Sequence, residues 1–138
     1  MKIDQRGTCV GLRKRREDVV IRYAVGMVSG GGPGTSVSRI VPFEGQPLVG
    51  DDVIRRHFDG MLAAFPDLAH ELRSIHHTAD AVIVEGRFSG TQAADWQDIP
   101  NQGKRMELPV AVLSQFDGEL LVGATLYYDL AAAARQLV

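Results

Sequence analysis

Side chains able to move a proton or grip a polar ligand gather in the second half of the sequence. The stretch LLVGATLYYDLAAAARQLV, residues 120–138, is apolar up to Tyr127, Tyr128 and Asp129, where an alanine-rich segment takes over. It reads as a strand running into a short helix, a junction that lies near a cavity mouth when a curved sheet wraps on helices. Asp129 suits two tasks there: proton transfer, or capping, in which its carboxylate accepts from the free amides that open the helix Leu130 to Leu137. Capping is the simpler expectation. The Tyr128 hydroxyl suits binding a substrate carbonyl or stabilising an enolate, or it merely finds a backbone partner. Glu85 shares a strand face with Ile83 and Arg87, opposite Val82, Val84 and Phe88. In an apolar pocket its pKa would rise into a range useful for acid–base work, whereas beside Arg87 or water it is inert, and the inert pairing is favoured. His76 and His77 are adjacent, so on a strand they point opposite ways and cannot chelate one metal; the end of a surface hairpin is their expected place.

The totals narrow what these groups can serve. A chain of 138 residues is most simply one domain, 1–138, able to bury roughly two-thirds of the surface it exposes when unfolded. With 45% hydrophobic and 23% charged residues and a net charge of −2, it lacks the basic excess that phosphate-backbone binding requires, so nucleic acid is not expected as a partner. The single cysteine, Cys9, cannot form an internal disulfide, and no Cys/His spacing suggests a metal site. The glycine tract SGGGPGTS, residues 29–36, is a connector, because a phosphate cradle needs Gly-Lys-Ser/Thr just ahead of a helix. Neither metal nor cofactor is expected. The start, MKIDQRGTCV, lacks the apolar centre of a signal peptide, and no apolar run approaches the roughly 18 residues of a membrane span. A cytoplasmic location without membrane contact is the expectation.

The elements that must position these groups follow from periodicity. Residues 1–17 read as a polar arm ending in the solvated basic run Arg13 to Arg16. Val19, Val20, Tyr23, Ala24 and Met27 fit one helix face, while Val19, Ile21, Tyr23, Val25 and Met27 alternate as in a strand; helix is favoured. A short strand is expected over 37–43 and a turn-rich link over 45–50, after which Asp51 or Asp52 would cap a helix. That helix carries Ile54, Phe58, Met61, Leu62 and Phe65 on one stripe, with Arg55, Arg56 and Asp59 toward water and Pro66 as its stop. The stripe is core, and in a cavity-bearing fold Phe58, Met61 and Phe65 can also form a pocket wall. Four strands are expected at 68–77, 80–89, 105–116 and 119–128, the last two joined through Asp117-Gly118. The last three have apolar residues on both faces, Val110 and Val112 on one and Ala111 and Leu113 on the other. A sheet covered on both sides needs helices on one and commonly a second subunit on the other, so a homodimer is expected.

The runs VGDDVIRRHFDGMLAAFPDL, ADAVIVEGRFSGTQ, IPNQGKRMELP, FDGEL and YYDLAAAARQL together resemble the SnoaL-like polyketide cyclases of the NTF2-like superfamily, over roughly residues 48–137. The resemblance implies an α+β cone, in which a strongly curved, mostly antiparallel sheet wraps around helices and encloses an apolar pocket, usually in a dimer. It also implies a longer helical lead-in than this N-terminal third suggests. In the ring-closing members an aspartate on the last strand is the acid/base of an aldol cyclisation, helped by Gln and His on the preceding strand. Counting back from the shared RQL puts the acid's position on Leu126, with Asp129 at a second, more general aspartate. The Gln and His positions fall on Val110 and Val112, and Gln92 replaces the histidine of an SGTH-like turn. Leu126 and Tyr128 share a strand face, so a cavity that meets one meets the other. Trp96, in the following loop, either covers the pocket entrance or is buried against the sheet. The pocket is thus expected from Phe58, Met61, Phe65, Trp96, Val110, Val112 and Leu126, with Asp129, Tyr128 and Glu85 as the catalytic candidates. The expected ligand is a small hydrophobic polyketide- or terpenoid-like molecule, subject to cofactor-free cyclisation, isomerisation or hydration. A non-catalytic binding or dimerisation module is the alternative, since leucine cannot move a proton. An epoxide-hydrolase-like member would need an Asp-Arg-Asp set, for which only scattered candidates exist.

Overall fold

Period-two burial organises the chain. In a computed structural model, which describes residues 10–29, 39–41 and 48–138, the elements run α1 (Val10–Ser29), β1 (Arg39–Val41), β2 (Leu48–Val49), α2 (Asp51–Ala64), β3 (Ala69–His77), β4 (Ala81–Thr91), β5 (Arg105–Asp117), β6 (Leu120–Tyr127) and α3 (Leu130–Leu137). They form one six-stranded sheet in the order β2-β1-β6-β5-β4-β3. β3 to β6 is an antiparallel meander, and β1 joins β6 in parallel, Arg39 opposite Gly123. Along β5 the even-numbered side chains from Met106 to Phe116 are buried, whereas Ala111 and Leu113 on the opposite face are only half-buried. β4 turns Val82, Val84 and Phe88 to the same interior. The register slips between Leu72 and Ser74 on β3 and between Gln115 and Phe116 on β5, and such bulges bend strands and raise their twist. Bent in this way, the sheet makes the wall of an α+β cone with the helices inside.

The α2 stripe is as expected: Ile54, Phe58, Met61 and Phe65 are buried and Arg55, Arg56 and Asp59 exposed. Its start is not. The cap position falls on Gly50, ahead of both aspartates, at φ 100°, with no side-chain cap hydrogen bond. The chain turns sharply out of β2 there, into backbone space that glycine enters freely. The hairpin between β5 and β6 likewise sits one residue later than expected, on Gly118 and Glu119, with Gly118 at φ 60°.

The largest departure is at the N-terminus. Val19 to Met27 is helical, but the helix begins at Val10, so residues 10–17 are its first turns rather than a solvated arm. Arg and Lys are good helix formers, and one of the four basic residues is a core contact. Arg16 is 5% exposed. Its Nε donates to the Gly118 carbonyl at 2.8 Å and its NH1 to the Ala79 carbonyl at 3.0 Å, with the guanidinium 5.2 Å from the Phe116 ring centre. One side chain thus ties α1 to the β3–β4 and β5–β6 turns together. Beside it Arg15 pairs with Glu119 at 2.5 Å, and Glu17 meets His77 at 2.7 Å. The helical lead-in implied by the resemblance is therefore present. Residues 1–9, most of the glycine tract, the ends of the 37–43 strand and residues 45–47 lie outside the described residues.

At the other end, α3 docks on β5. Gln136 makes two bonds to one residue of that strand: its Oε1 accepts from the Glu107 amide at 2.7 Å and its Nε2 donates to the Glu107 carbonyl at 2.9 Å. Leu137 is buried beside it. The RQL ending is architectural, fastening the last helix to a stretch of β5 that β6 does not reach. No helix among the described residues is long and apolar enough to cross a membrane.

Candidate functional site

The expected catalytic trio is not brought together. Asp129 is the N-cap of α3, its Oδ1 accepting from the Ala132 amide at 3.1 Å, the simpler of its two expected tasks. Tyr128 is half-buried and stacks on Trp96, with ring centres 6.2 Å apart. Glu85 stands on the outer face of the sheet with its side chain 63% exposed, 3.7 Å from His76. The Glu85–Arg87 pair does not form; Arg87 instead meets Glu107, its diagonal neighbour on β5, at 3.4 Å. Glu85 instead borders an open groove of about 350 Å³ on that outer face, with Arg73, Pro109, Ala111 and Tyr127.

The seven expected pocket residues are all buried, and together they are core rather than the wall of one cavity. Phe58 packs edge-on against Tyr23, and Phe65 edge-on against Trp96 at 5.3 Å. Trp96 is buried, which decides between its two expected places. Its loop is held from inside: buried Gln92 donates to the carbonyls of Ala94 at 3.1 Å and Ile99 at 3.0 Å. Trp96 and Ile99 exchange backbone hydrogen bonds around Gln97 and Asp98, both left-handed at φ 49° and 61°. The residue that replaces the histidine of the SGTH-like turn thus fastens the loop that delivers Trp96. Leu126 is buried opposite Val112, and Val112 alone of the seven borders the space between α1 and the sheet.

That space is walled by apolar surface, with three polar residues, Tyr23, His70 and Ser114, among those that border it. A cavity of about 10 Å³, room for about one water, is bordered by Val20 and Tyr23 from α1, His70 and Leu72 from β3, Val84 from β4, and Val112 and Ser114 from β5. The Tyr23 hydroxyl and both His70 ring nitrogens are buried without a hydrogen-bond partner among the described residues. Each such group costs about 1–3 kcal/mol of desolvation unless something meets it. Burial pushes the Tyr23 phenol well above its usual value, so it stays a donor, and pulls the His70 imidazole down to about 4, so the ring is neutral at pH 7 and offers one donor and one acceptor. The ring is held in place. It lies 4.4 Å from the Phe88 ring centre and under Gly86, where a Cβ would come within 2.9 Å of Nε2. No carboxylate is among the described residues that border the cavity, and no group of three or more His, Cys, Asp or Glu among them is placed to hold a metal.

Known proteins share this architecture. The family model for SnoaL-like polyketide cyclase matches residues 37–137. A SnoaL-like polyketide cyclase structure from Jannaschia sp. CCS1 superposes with a TM-score of 0.82 at 16% identity, covering 94% of this chain and 96% of that one. A polyketide cyclase structure from Silicibacter sp. TM1040 gives 0.77 at 21% identity, covering 91% and 96%. A protein from Catenulispora acidiphila with a ketosteroid isomerase-like fold, solved with trimethylamine, gives 0.70 at 17% identity, covering 87% and 92%. The comparison with curated proteins finds no match. At these identities the structures establish the fold.

Proposed function

Because the chain belongs to the SnoaL-like polyketide cyclase family, its model matching residues 37–137, we propose that it takes a hydrophobic polyketide- or terpenoid-like molecule into the cone and acts on it without a cofactor, by cyclase- or isomerase-type proton transfer. The observation that carries this reading is the apolar cavity bordered mainly by Val20, Leu72, Val84 and Val112, together with the buried polar atoms of the bordering Tyr23 and His70, which have no partner among the described residues. An apolar wall with a few convergent polar groups selects an apolar ligand and orients it through one or two oxygens. A ligand larger than water enters by shifting the α1 side of that wall, Val20 and Tyr23. A second reading, binding without turnover, is supported by Leu126 at the position where the resemblance places the acid, and by the lack of a carboxylate among the described residues at the cavity. In both readings the protein is cytoplasmic.

Calorimetric titration with 2-naphthol, an apolar bicyclic phenol, tests the ligand class. Saturable one-to-one binding is expected, weakened about tenfold in Tyr23→Phe, which removes one hydrogen bond worth about 1.4 kcal/mol. No heat of binding at millimolar ligand would count against the reading.

The same proposal includes a second copy of the chain on the outer sheet face. Ile83, Ala111 and Leu113 are only half-covered there, and Tyr127 is 58% exposed beside the Arg73–Glu85 groove. Light scattering should then return twice the 15.0 kDa chain mass, and a mass of one chain at micromolar concentration would refute it.

A further inference from the structure

Three other elements close around one ring on β3. His70 is the register partner of Phe88, whose ring centre lies 4.4 Å from its own, and it sits under Gly86, where a Cβ would come within 2.9 Å of Nε2. On the other side stand Val20 and Tyr23 of α1, with Val112 and Ser114 of β5 at the same border. Both ring nitrogens are buried without a partner among the described residues. The charged groups around the ring are engaged elsewhere. On β3, Glu71 and Arg73 pair in solvent at 3.6 Å, and on β4, Glu85 and Arg87 meet His76 and Glu107 on the outer face. On α1, Arg16 serves the two hairpin turns, Glu17 is taken by His77 at the far end of β3, Lys14 and Asp18 form an exposed pair, and Arg22 is exposed. Among the described residues bordering this space, Tyr23 is the one titratable group from another element, and burial keeps it protonated and uncharged.

We propose that His70 is an acid-sensing trigger for α1: when the imidazole takes up a proton, its cation finds no counter-charge inside the sheet, and α1 undocks to let water reach it. α1 is the wall that yields. β4 is laddered to β3 along its length, from Ala69 opposite Ser89 to His77 opposite Val82, so drawing Phe88 or Gly86 away from the ring would break backbone pairing. α1 satisfies its own backbone within the helix and rests on the sheet through side chains: Val20 and Tyr23 over the strands, and Arg15, Arg16 and Glu17 at the turns and the end of β3. Its release therefore leaves the ladder intact, as a local opening below the cost of global unfolding. The cone then opens on its α1 side at mildly acidic pH, whether or not a ligand is inside.

Burial sets the direction of the response. In the closed molecule it pulls His70 down to about 4, whereas a solvated imidazole titrates near 6.5. The open form thus binds a proton that the closed form refuses. Above about pH 6.5 the ring is neutral in both forms and docking is at full strength; between about 6.5 and 4 docking weakens about tenfold per pH unit; below about 4 both forms are charged and the response levels off. From about pH 7.5 to pH 5 the open population should rise about thirtyfold. Asp67 does not confuse this window. Its carboxylate accepts from the Thr91 amide at 2.7 Å, which holds it below the usual carboxylate range, so it stays charged throughout.

Hydrogen–deuterium exchange read by mass spectrometry tests this, with rates corrected for the pH dependence of exchange in unstructured peptides. It gives the protection of α1 and of β4–β5 separately, while the emission of Trp96, the chain's single tryptophan, buried edge-on against Phe65, reports on the core. Between about pH 7.5 and pH 5 the protection of α1 should fall about thirtyfold, with β4–β5 protection and Trp96 emission unchanged. His70→Gln, which takes up no proton, should hold the fall below about threefold, whereas His77→Gln, which removes the histidine that meets Glu17, should leave it in full. A wild-type fall below about threefold would overturn the trigger, as would a full fall in a folded His70→Gln. Loss of the fall in His77→Gln would place the response at the end of β3 and overturn the assignment to His70, a result that reads even if His70→Gln does not fold. Joint loss of protection in α1 and β4–β5 with a red-shifted Trp96 would mean acid unfolding of the whole chain, and would overturn the release of α1.

Discussion

Arg16→Ala should cost about 3 kcal/mol of folding stability, a large fraction of the roughly 5–15 kcal/mol that holds a domain of this size together. Three losses coincide. Two charge-assisted hydrogen bonds disappear, from Nε to the Gly118 carbonyl and from NH1 to the Ala79 carbonyl, each worth on the order of 1.5–3 kcal/mol before relaxation. The guanidinium also leaves the Phe116 ring, a contact worth roughly 0.5–2 kcal/mol. Water reaching the vacated carbonyls returns part of the sum, which is why the expected figure stays near 3. Arg16→Lys keeps the charge but loses the planar fork that spans two carbonyls on different turns, so it should fall between alanine and wild type. Arg13→Ala, on the same helix and exposed, sets the baseline at about 0.5 kcal/mol or less. Urea unfolding of the variants at one protein concentration measures all of this. Equal midpoints for Arg16→Ala and Arg13→Ala would show that the clamp holds nothing.

That clamp also shows where a sequence stops being readable. Arg13, Lys14, Arg15 and Arg16 look alike as a charge run, and only the three-dimensional arrival of two hairpin turns beside α1 singles out the fourth. The meander is legible because β4 and β5 alternate over long stretches, and α2 because its apolar stripe is uninterrupted. β3 is harder, since the bulge after Leu72 shifts the period there and conceals that His70, Leu72 and Ile75 face one interior. Tyr23 reads as one apolar member of a helical stripe, and nothing local says that its hydroxyl has no partner among the described residues. The resemblance to the cyclases supplies the cone, but it also draws the candidates to the last strand, where the acid's position holds Leu126. Asp129 is legible in both its possible roles, and the cap is the one it fills. The polar site is therefore a tertiary property of α1 and β3 meeting, built from residues some 47 positions apart, whereas the sheet is a property of each strand.

Gly86→Ala should be the most damaging single-methyl change on the sheet, with a loss of about 3 kcal/mol, at the upper end of what overpacking costs. A Cβ at this position would lie 2.3 Å from the Glu71 carbonyl oxygen and 2.9 Å from His70 Nε2. The side chain could swing aside, but the carbonyl belongs to β3, whose Leu72 is paired with Gly86 itself, so relief requires prying the two strands apart. The double variant with His70→Ala separates these obstacles. If the backbone oxygen dominates, removing the imidazole should recover little of the loss; substantial recovery would mean that the ring, and not the strand, sets the limit. Gly60 supplies the opposite sign on the same fold. It lies exposed inside α2, and a Cβ there would have nothing within 4 Å, so Gly60→Ala should add about 1 kcal/mol by restricting the unfolded chain and improving helix propensity. Two glycine-to-alanine changes thus differ by about 4 kcal/mol for a reason fixed by their neighbours, and thermal melts of the pair, compared at one concentration, read the difference directly. Closeness of the two melting temperatures would mean that β3 and β4 approach less tightly at Gly86 than the 2.3 Å contact requires, and with it would go the steric case for a fixed His70 ring.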